Sequence, residues 1–228
     1  MAPLDVRYAP AADGSKIGYT VTGGGPLAVV LTPSLLAQAE PMFEEPTIVR
    51  FLVRLTARSQ LLVMDRRGTG FSDRPTTRDD LSMDRLCEDI EAVLDDAGIE
   101  RAVIMAHSWG GPGGIHFAAT RPERTAGLVL TATRVKNSRG DGYELGPTPQ
   151  EVDDLAATVE GRWGTEGDRV QFARSHLLDR RFHEWMASQE RRSYPPGAVP
   201  DLFRAIAVHD ARSDPRQGRC TDVGRPPA

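Results

Sequence analysis

The chain lacks the features that mark exported, membrane-spanning and metal-binding proteins. Its 228 residues include two cysteines, and neither lies in a CxxC motif or a histidine and cysteine cluster, so we expect no disulfide framework and no metal site. No apolar run approaches the ~20 residues of a membrane span. The first residues lack the basic and apolar regions of an export signal. We therefore expect a cytoplasmic protein that needs no cofactor and contacts no membrane.

The chain also has very little lysine. Only two lysines occur among the 28 basic residues, a bias that fits a GC-rich source, and the formal net charge is -4. No block of basic residues could follow a phosphate backbone, so we expect no nucleic-acid partner. The sequence does not indicate an oligomeric state.

The length, 39% hydrophobic residues and mean hydropathy of -0.37 indicate one globular domain, with room for a small insertion. The first half alternates β-rich runs with helical patterns, which is typical of an α/β fold with a mostly parallel sheet. A predicted hairpin around Asp13 and Gly14 comes first. Four continuous apolar runs then predict strands buried on both faces, at 27–31, 61–64, 102–106 and 128–130.

The spacing of apolar residues and the presence of capping residues predict several helices. Residues 83–97 carry an apolar stripe behind Ser82 and before Gly98, and Cys87 on that stripe is predicted to be a buried, inert thiol. After residue 140 the β-runs stop, and Thr148 to Glu151 form a capping box that begins further amphipathic helices. The predicted organisation is an α/β core at 1–140, a helical cap at 141–208 and a disordered tail at 209–228.

The predicted tail is rich in arginine, proline and glycine and has almost no apolar residues. The change of character at Asp210 suggests an out-of-frame reading of GC-rich DNA. Resequencing the locus tests this hypothesis, and an intact frame with no strand-coding segment downstream would remove it.

The clearest chemical signal is a sharp turn between a strand and a helix. An apolar run ends at Ala106, and after the turn a helix rich in small residues is predicted up to Pro122. This is the context of the nucleophile elbow G-x-S-x-G, in which Ser108 takes a strained backbone and both Ala106 and Gly110 must be small. Alanine at the first glycine position departs from the motif. Ser108 would face the free N–H groups of a helix N-terminus, with Trp109 N–H as the first oxyanion donor.

Several motifs together resemble the α/β-hydrolase superfamily, and within it a bacterial branch often associated with nucleotide cyclase or LuxR-type regulators. They are the run Asp-Arg-Arg-Gly-Thr-Gly-Phe-Ser-Asp at 65–73, the elbow at Ser108, Pro-Glu-Arg at 122–124 and Arg-Trp-Gly at 162–164. The similarity covers about residues 5–209. It implies an α/β-hydrolase fold with a helical cap, from which the last strands and helices are missing.

The resemblance also assigns roles to residues around the elbow. Asp65 and Arg66 would belong to a loop that braces the wall of the active site, rather than to the catalytic residues. The second oxyanion donor would be the Leu35 N–H, from the loop after the third strand. Ser34 replaces the glycine usual in that loop, which makes the loop's geometry a point to examine.

A serine hydroxyl needs a base, and the base needs an orienting acid. By the resemblance, both should follow the cap in the order acid then histidine, yet no strand-like run follows residue 208. The acid and histidine of the triad are therefore unassigned. Asp141 is a possible acid in a glycine-rich loop, whereas the end of the sixth strand offers none.

None of the histidines is a convincing base. His107 should point away from Ser108, since neighbouring side chains at a strand end face opposite sides. His116 is predicted to be a packing residue two turns along the helix, and His176 and His183 to be surface residues of the cap. His209 is the least unsuitable surrogate.

Three functional hypotheses remain open. The first is a serine hydrolase that acts on an ester or amide of a small molecule, impaired by the absent triad partners. The second is a non-catalytic protein of the same fold that binds a small molecule or serves a regulatory partner. The third is a truncated product that folds poorly, with an unpaired strand edge that invites aggregation.

Overall fold

The computed structural model describes residues 4–34, 38–165, 174–176 and 178–213. The chain begins with the predicted hairpin, in which β1 (Val6–Pro10) pairs antiparallel with β2 (Lys16–Gly23). Gly14 has a φ of +89° in the connecting loop, a conformation that glycine adopts without a steric cost. The hairpin turn predicted at Asp13 and Gly14 is confirmed, although the loop is longer than two residues.

The four buried runs form the parallel part of a six-stranded sheet. Its order is β1-β2-β4-β3-β5-β6, and β4, β3, β5 and β6 run parallel to one another. The predicted α/β class with a mostly parallel sheet is confirmed. The four strands are β3 (Leu27–Leu31), β4 (Ser59–Met64), β5 (Ala102–His107) and β6 (Thr125–Thr131).

Helices cover both faces of the sheet. Helix α2 (Pro46–Thr56), which follows the short α1 (Ala39–Met42), packs against β4 on one face. Helices α3 (Met83–Asp96) and α4 (Gly111–Thr120) pack together on the other face, where the main apolar core forms. Alternate strand residues therefore have apolar partners on both sides of the central strands.

Helix α3 begins and ends where the sequence predicts. The Ser82 hydroxyl accepts a hydrogen bond from the Arg85 N–H at 3.2 Å, and Gly98 has a φ of +67° just past the end. Cys87 lies on its buried face, and burial raises the pKa of the thiol to about 12. At neutral pH the thiol is protonated and unreactive.

Three helices follow the sheet. They are α5 (Pro149–Arg162), α6 (Arg180–Ser193) and α7 (Val199–Ala207). The predicted capping box is present, since Thr148 and Glu151 bond to each other's backbone N–H groups. Helices α5 and α7 pack on each other through an apolar cluster that includes Trp163, Tyr194 and Phe203, with Trp109 of the elbow against it.

Helix α6 is attached to the segment between β3 and α2. The Trp185 indole N–H donates to the Pro41 carbonyl at 2.9 Å, and the Gln38 amide donates to the Gln189 carbonyl at 3.3 Å. These bonds fix the helical segment to the loop that leads out of the carboxyl end of β3.

Residues 209–213 differ from the predicted tail. The Asn137 N–H donates to the His209 carbonyl at 3.0 Å, and the Ala211 N–H donates to the Val135 carbonyl at 2.9 Å. His209 and Ala211 are buried. This short stretch is held because it pairs with the chain after β6, whereas residues 214–228 lie outside the described residues.

Strand β6 is exposed, contrary to the prediction that it is buried on both faces. Leu128, Val129 and Leu130 are consecutive residues, so they face both sides of the sheet, and each is about two-fifths exposed. Within the described ranges β6 is the edge strand, and no further strand lies beside it. The strand is where the sequence places it, but the described residues cover its side chains only in part.

Candidate active site

The turn after β5 has the strained backbone that the elbow motif predicts. Ser108 has a φ of +53°, in the left-handed region that side chains other than glycine rarely adopt. It opens a single turn of 3₁₀-helix that leads directly into α4. The side chain is partly exposed. Ser108 is therefore at a sharp bend at the carboxyl edge of the sheet, before the α-helix begins.

Small residues around the bend are required by close packing. A Cβ atom at Gly110 would lie 2.8 Å from the Pro33 carbonyl oxygen, and one at Gly114 would lie 2.6 Å from the Cβ of Ala106. Distances this short would force the backbone apart. A side chain larger than alanine at position 106 would clash with α4. Alanine fits there in place of glycine because the facing residue on α4 is Gly114.

Two polar side chains that the sequence analysis missed hold the elbow from the segment after β6. The Thr133 hydroxyl donates to the Ser108 carbonyl oxygen and packs directly on Gly111. The Asn137 amide donates to the carbonyls of Trp109 at 3.1 Å and Ile206 at 3.0 Å. Both residues follow β6, and β6 lies beside β5 in the sheet, so they come next to the turn after β5. Their role could be recognised only once it is known that these two strands are neighbours.

Of the two expected oxyanion donors, one can be placed. Trp109 follows Ser108 in the first turn, where backbone N–H groups have no partner within the helix. Its ring meets Phe203 of α7 edge to face, with centroids 5.8 Å apart. Leu35 lies outside the described residues. The loop leading to it is anchored where the Thr32 N–H donates to the Met105 carbonyl at 3.0 Å.

Asp65 connects the loops of the site wall. Its two carboxylate oxygens accept hydrogen bonds from the Ala39 N–H at 2.8 Å and the Phe71 N–H at 2.9 Å. A Cβ at Gly70 would meet the same carboxylate at 2.1 Å. Burial raises the pKa of Asp65 to about 6, against the opposing effect of the two N–H groups. These contacts are those of a bracing residue.

The next two residues are buried arginines with different surroundings. Arg67 pairs with both carboxylate oxygens of Asp89 on α3, and reaches Asp13 and Ser15 in the hairpin loop. This network joins three elements at the base of the site. Arg66 is 3% exposed, and its Nη2 donates to the Pro33 carbonyl at 3.0 Å.

All five histidines contact groups other than the Ser108 hydroxyl. His107 contacts the Thr131 hydroxyl, His116 contacts Asp84, and His183 contacts the His176 carbonyl. In the described ranges no hydrogen bond to the Ser108 hydroxyl is found.

His209 is 4% exposed and its Nε2 lies 2.9 Å from the Leu81 carbonyl. Burial, together with the charge of Arg66, lowers the pKa of His209 to about 4. The imidazole is therefore neutral at pH 7, and Nε2–H donates to the carbonyl. Asp141, the candidate acid, instead pairs with Lys136 at 2.6 Å.

The described part of the chain contains no candidate for a metal site or a membrane-spanning segment. No group of three or more potential metal ligands is found there. No helix among these residues is long and apolar enough to cross a membrane.

The fold and the elbow define a class of α/β proteins in which a helical segment covers the carboxyl edge of a mostly parallel sheet. A family model described as alpha/beta hydrolase fold matches residues 28–180, and the chain belongs to this family. It resembles an esterase from Exiguobacterium antarcticum, with a TM-score of 0.69 and 22% identity over 90% of this chain and 74% of that one. At that identity the likeness concerns the fold alone.

Sequence relatives carry more than one activity. Epoxide hydrolase 1 of Caenorhabditis elegans is 37% identical over 68 residues, which are 30% of this chain and 17% of the relative. A cis-3-alkyl-4-alkyloxetan-2-one decarboxylase of Shewanella oneidensis is 31% identical over 130 residues, which are 56% and 38% of the two chains. The matches span well under half of either relative, so they do not extend to the activity of this chain.

Proposed function

We propose that the chain is a serine hydrolase of the α/β-hydrolase fold that cleaves an ester or amide of a small molecule, with Ser108 as the nucleophile. The left-handed backbone of Ser108 is the observation that supports this most strongly. A non-glycine residue in that conformation costs about 1–3 kcal/mol and persists where the surroundings enforce it, typically at functional sites. Here the position also presents a hydroxyl at the start of a helix.

In the proposed reaction the Ser108 oxygen attacks the acyl carbon, and the Trp109 N–H stabilises the oxyanion that forms. We assign Leu35 N–H as the second donor, by resemblance. When the oxyanion collapses, the bond to the alcohol or amine breaks and the leaving group takes a proton from solvent; water later cleaves the Oγ–acyl bond, releasing the acid and restoring the hydroxyl. Since no side chain in the described ranges bonds to the hydroxyl, the Ser108 proton passes to solvent water, and we expect slow turnover.

We assign substrate selection to the helical segment 141–208, acting as a cap. Phe203 of α7 contacts the ring of Trp109, so this segment reaches the residue beside the proposed nucleophile. Side chains near this contact would shape the acyl or alcohol pocket. A cytoplasmic location and an association with nucleotide cyclase or LuxR-type regulators remain predictions from sequence.

A fluorophosphonate probe tests the nucleophile. It should label Ser108 in the wild-type protein and should fail to label the Ser108→Ala variant, with the labelled peptide identified by mass spectrometry. The matched control is Ser188→Ala, because Ser188 is also partly buried but lies on α6. This variant should be labelled at Ser108 to the same extent as the wild type. Equal labelling of wild type and Ser108→Ala would contradict the proposal.

The second candidate, a non-catalytic binding protein, is favoured because no base bonds to the Ser108 hydroxyl in the part of the chain that the structure describes. It predicts that small esters or lactones raise the melting temperature of wild type and Ser108→Ala equally, while the probe labels neither. A ligand-independent melting temperature across such a panel would count against it.

A further inference from the structure

Beneath the helical segment, Arg66 is a buried charge without a carboxylate partner. Within the described ranges no ion pair to its guanidinium is found, and its Nε is buried with no hydrogen-bond partner. The nearby acids are occupied: Asp65 accepts from backbone N–H groups, and Asp89 is held at both oxygens by Arg67. An unpaired buried ion costs several kcal/mol, so this site is incomplete without an anion.

Two more buried polar atoms accompany Arg66. In the part of the chain that the structure describes, Tyr194 Oη and His209 Nδ1 also have no hydrogen-bond partner, and both residues are at most 5% exposed. A Cβ at Gly68, two residues after Arg66, would lie 3.1 Å from the Tyr194 ring, and His209 bonds to Leu81, which shares an apolar cluster with Tyr194, so the three residues lie in one neighbourhood. Burial keeps Tyr194 protonated and His209 neutral, so Arg66 is the cation and Tyr194 supplies a further O–H donor.

This neighbourhood lies next to the proposed nucleophile. The Pro33 carbonyl that binds Arg66 is also the atom that leaves no room for a Cβ at Gly110, two residues after Ser108. Tyr194 belongs to the apolar cluster against which Trp109 packs. A group bound by Arg66 and Tyr194 would therefore lie close to an acyl group held at Ser108.

We propose that Arg66, assisted by Tyr194, binds a carboxylate of the ligand, so that the substrate is a small ester or amide that also carries an acid. A guanidinium matches a carboxylate through parallel N–H···O bonds, which a neutral isostere cannot form equally well. Only the statement that the ligand is a substrate rests on the proposed hydrolase function.

The experiment measures the binding of phenylacetate and phenylacetamide by calorimetry. Phenylacetate should bind wild type and Ser108→Ala alike, and at least about 10-fold more tightly than phenylacetamide. Arg66→Gln should weaken phenylacetate binding about 10- to 100-fold, whereas Arg180→Gln, at a side chain 91% exposed, should not. Arg66→Lys retains the charge but not the forked donors, and should weaken it about 10-fold.

The outcomes separate this proposal from the nucleophile. Equal binding of acid and amide, no binding of either, or binding unchanged in Arg66→Lys would overturn the acid site. If Arg66→Gln does not fold, the Lys variant and the comparison of acid with amide decide. Acid binding without fluorophosphonate labelling of Ser108 would instead leave the acid site standing and remove the hydrolase.

Discussion

At the scale of single residues, the site combines a strained backbone with buried polar groups. Ser108 holds a left-handed conformation, Asp65 is buried with its two N–H partners, and Arg66 and His209 lie under the helical segment. Each of these features costs free energy that an apolar or relaxed residue would not. Such costs at one edge of a sheet are typical of a functional site.

The strain at Ser108 is measurable as stability. Ser108→Gly should be more stable than Ser108→Ala by about 0.5–1 kcal/mol, because glycine adopts a positive φ without a steric cost and this outweighs its larger entropy when unfolded. Urea unfolding of the two variants gives the difference directly. An alanine variant as stable as the glycine variant would show that the turn is relaxed.

His209 should make stability depend on pH. Its folded pKa of about 4 lies below the value of about 6.5 for a free histidine, so its contribution is complete above pH 6.5 and is lost as pH falls towards 4. The loss is on the order of 3 kcal/mol. Asp65 acts in the opposite direction, since its raised pKa makes its ionisation unfavourable to folding as pH rises towards 6.

Comparison with His209→Asn isolates the histidine, because Asp65 is present in both proteins. Unfolding free energies measured from pH 7 to pH 4 should fall less steeply in the variant. Parallel curves for the two proteins would mean that His209 is accessible and titrates normally in the folded state.

At the scale of elements, local signals in the sequence predicted most of the framework. Ser82 and the capping box at Thr148 placed two helix starts, and four apolar runs placed the parallel strands. Helix α2 was not predicted; its N-cap is Glu45, and glutamate is not among the usual capping residues. The bonds from Thr133 and Asn137 to the elbow could not be read, because they depend on which strands are neighbours.

The contact between the end of β6 and the start of α4 gives a test of that coupling. Gly111→Ala should destabilise the fold by about 1–3 kcal/mol, since its Cβ would fall 1.7 Å from the Thr133 hydroxyl oxygen. The double variant Gly111→Ala/Thr133→Ala should be less destabilised than the sum of the two single variants, because the contacts with Oγ1 and Cγ2 are removed and only the contact with the Cβ at 2.6 Å remains. Additive losses, measured by urea unfolding, would show that the two residues do not interact.

At the scale of the whole molecule, the two edge strands of the described sheet, β1 and β6, differ in how they are held. The hairpin β1–β2 is fixed to the core by Arg67 and Asp89, whereas β6 exposes apolar side chains on both faces. The α/β class and the elbow followed from sequence, but the attachment of residues 209–213 did not, because it is a long-range pairing of a mostly polar stretch. In the described residues no side chain bonds to the Ser108 hydroxyl.

The most direct test of Ser108 as the nucleophile is to detect the acyl-enzyme that it would form. When the protein is mixed with p-nitrophenyl acetate, we predict release of close to one nitrophenolate per chain, followed by slow turnover, with the acetyl group found on Ser108 by peptide mapping. Ser108→Ala should show no such burst. Acetylation confined to other residues, or the same burst in Ser108→Ala, would contradict the assignment of Ser108 as the nucleophile.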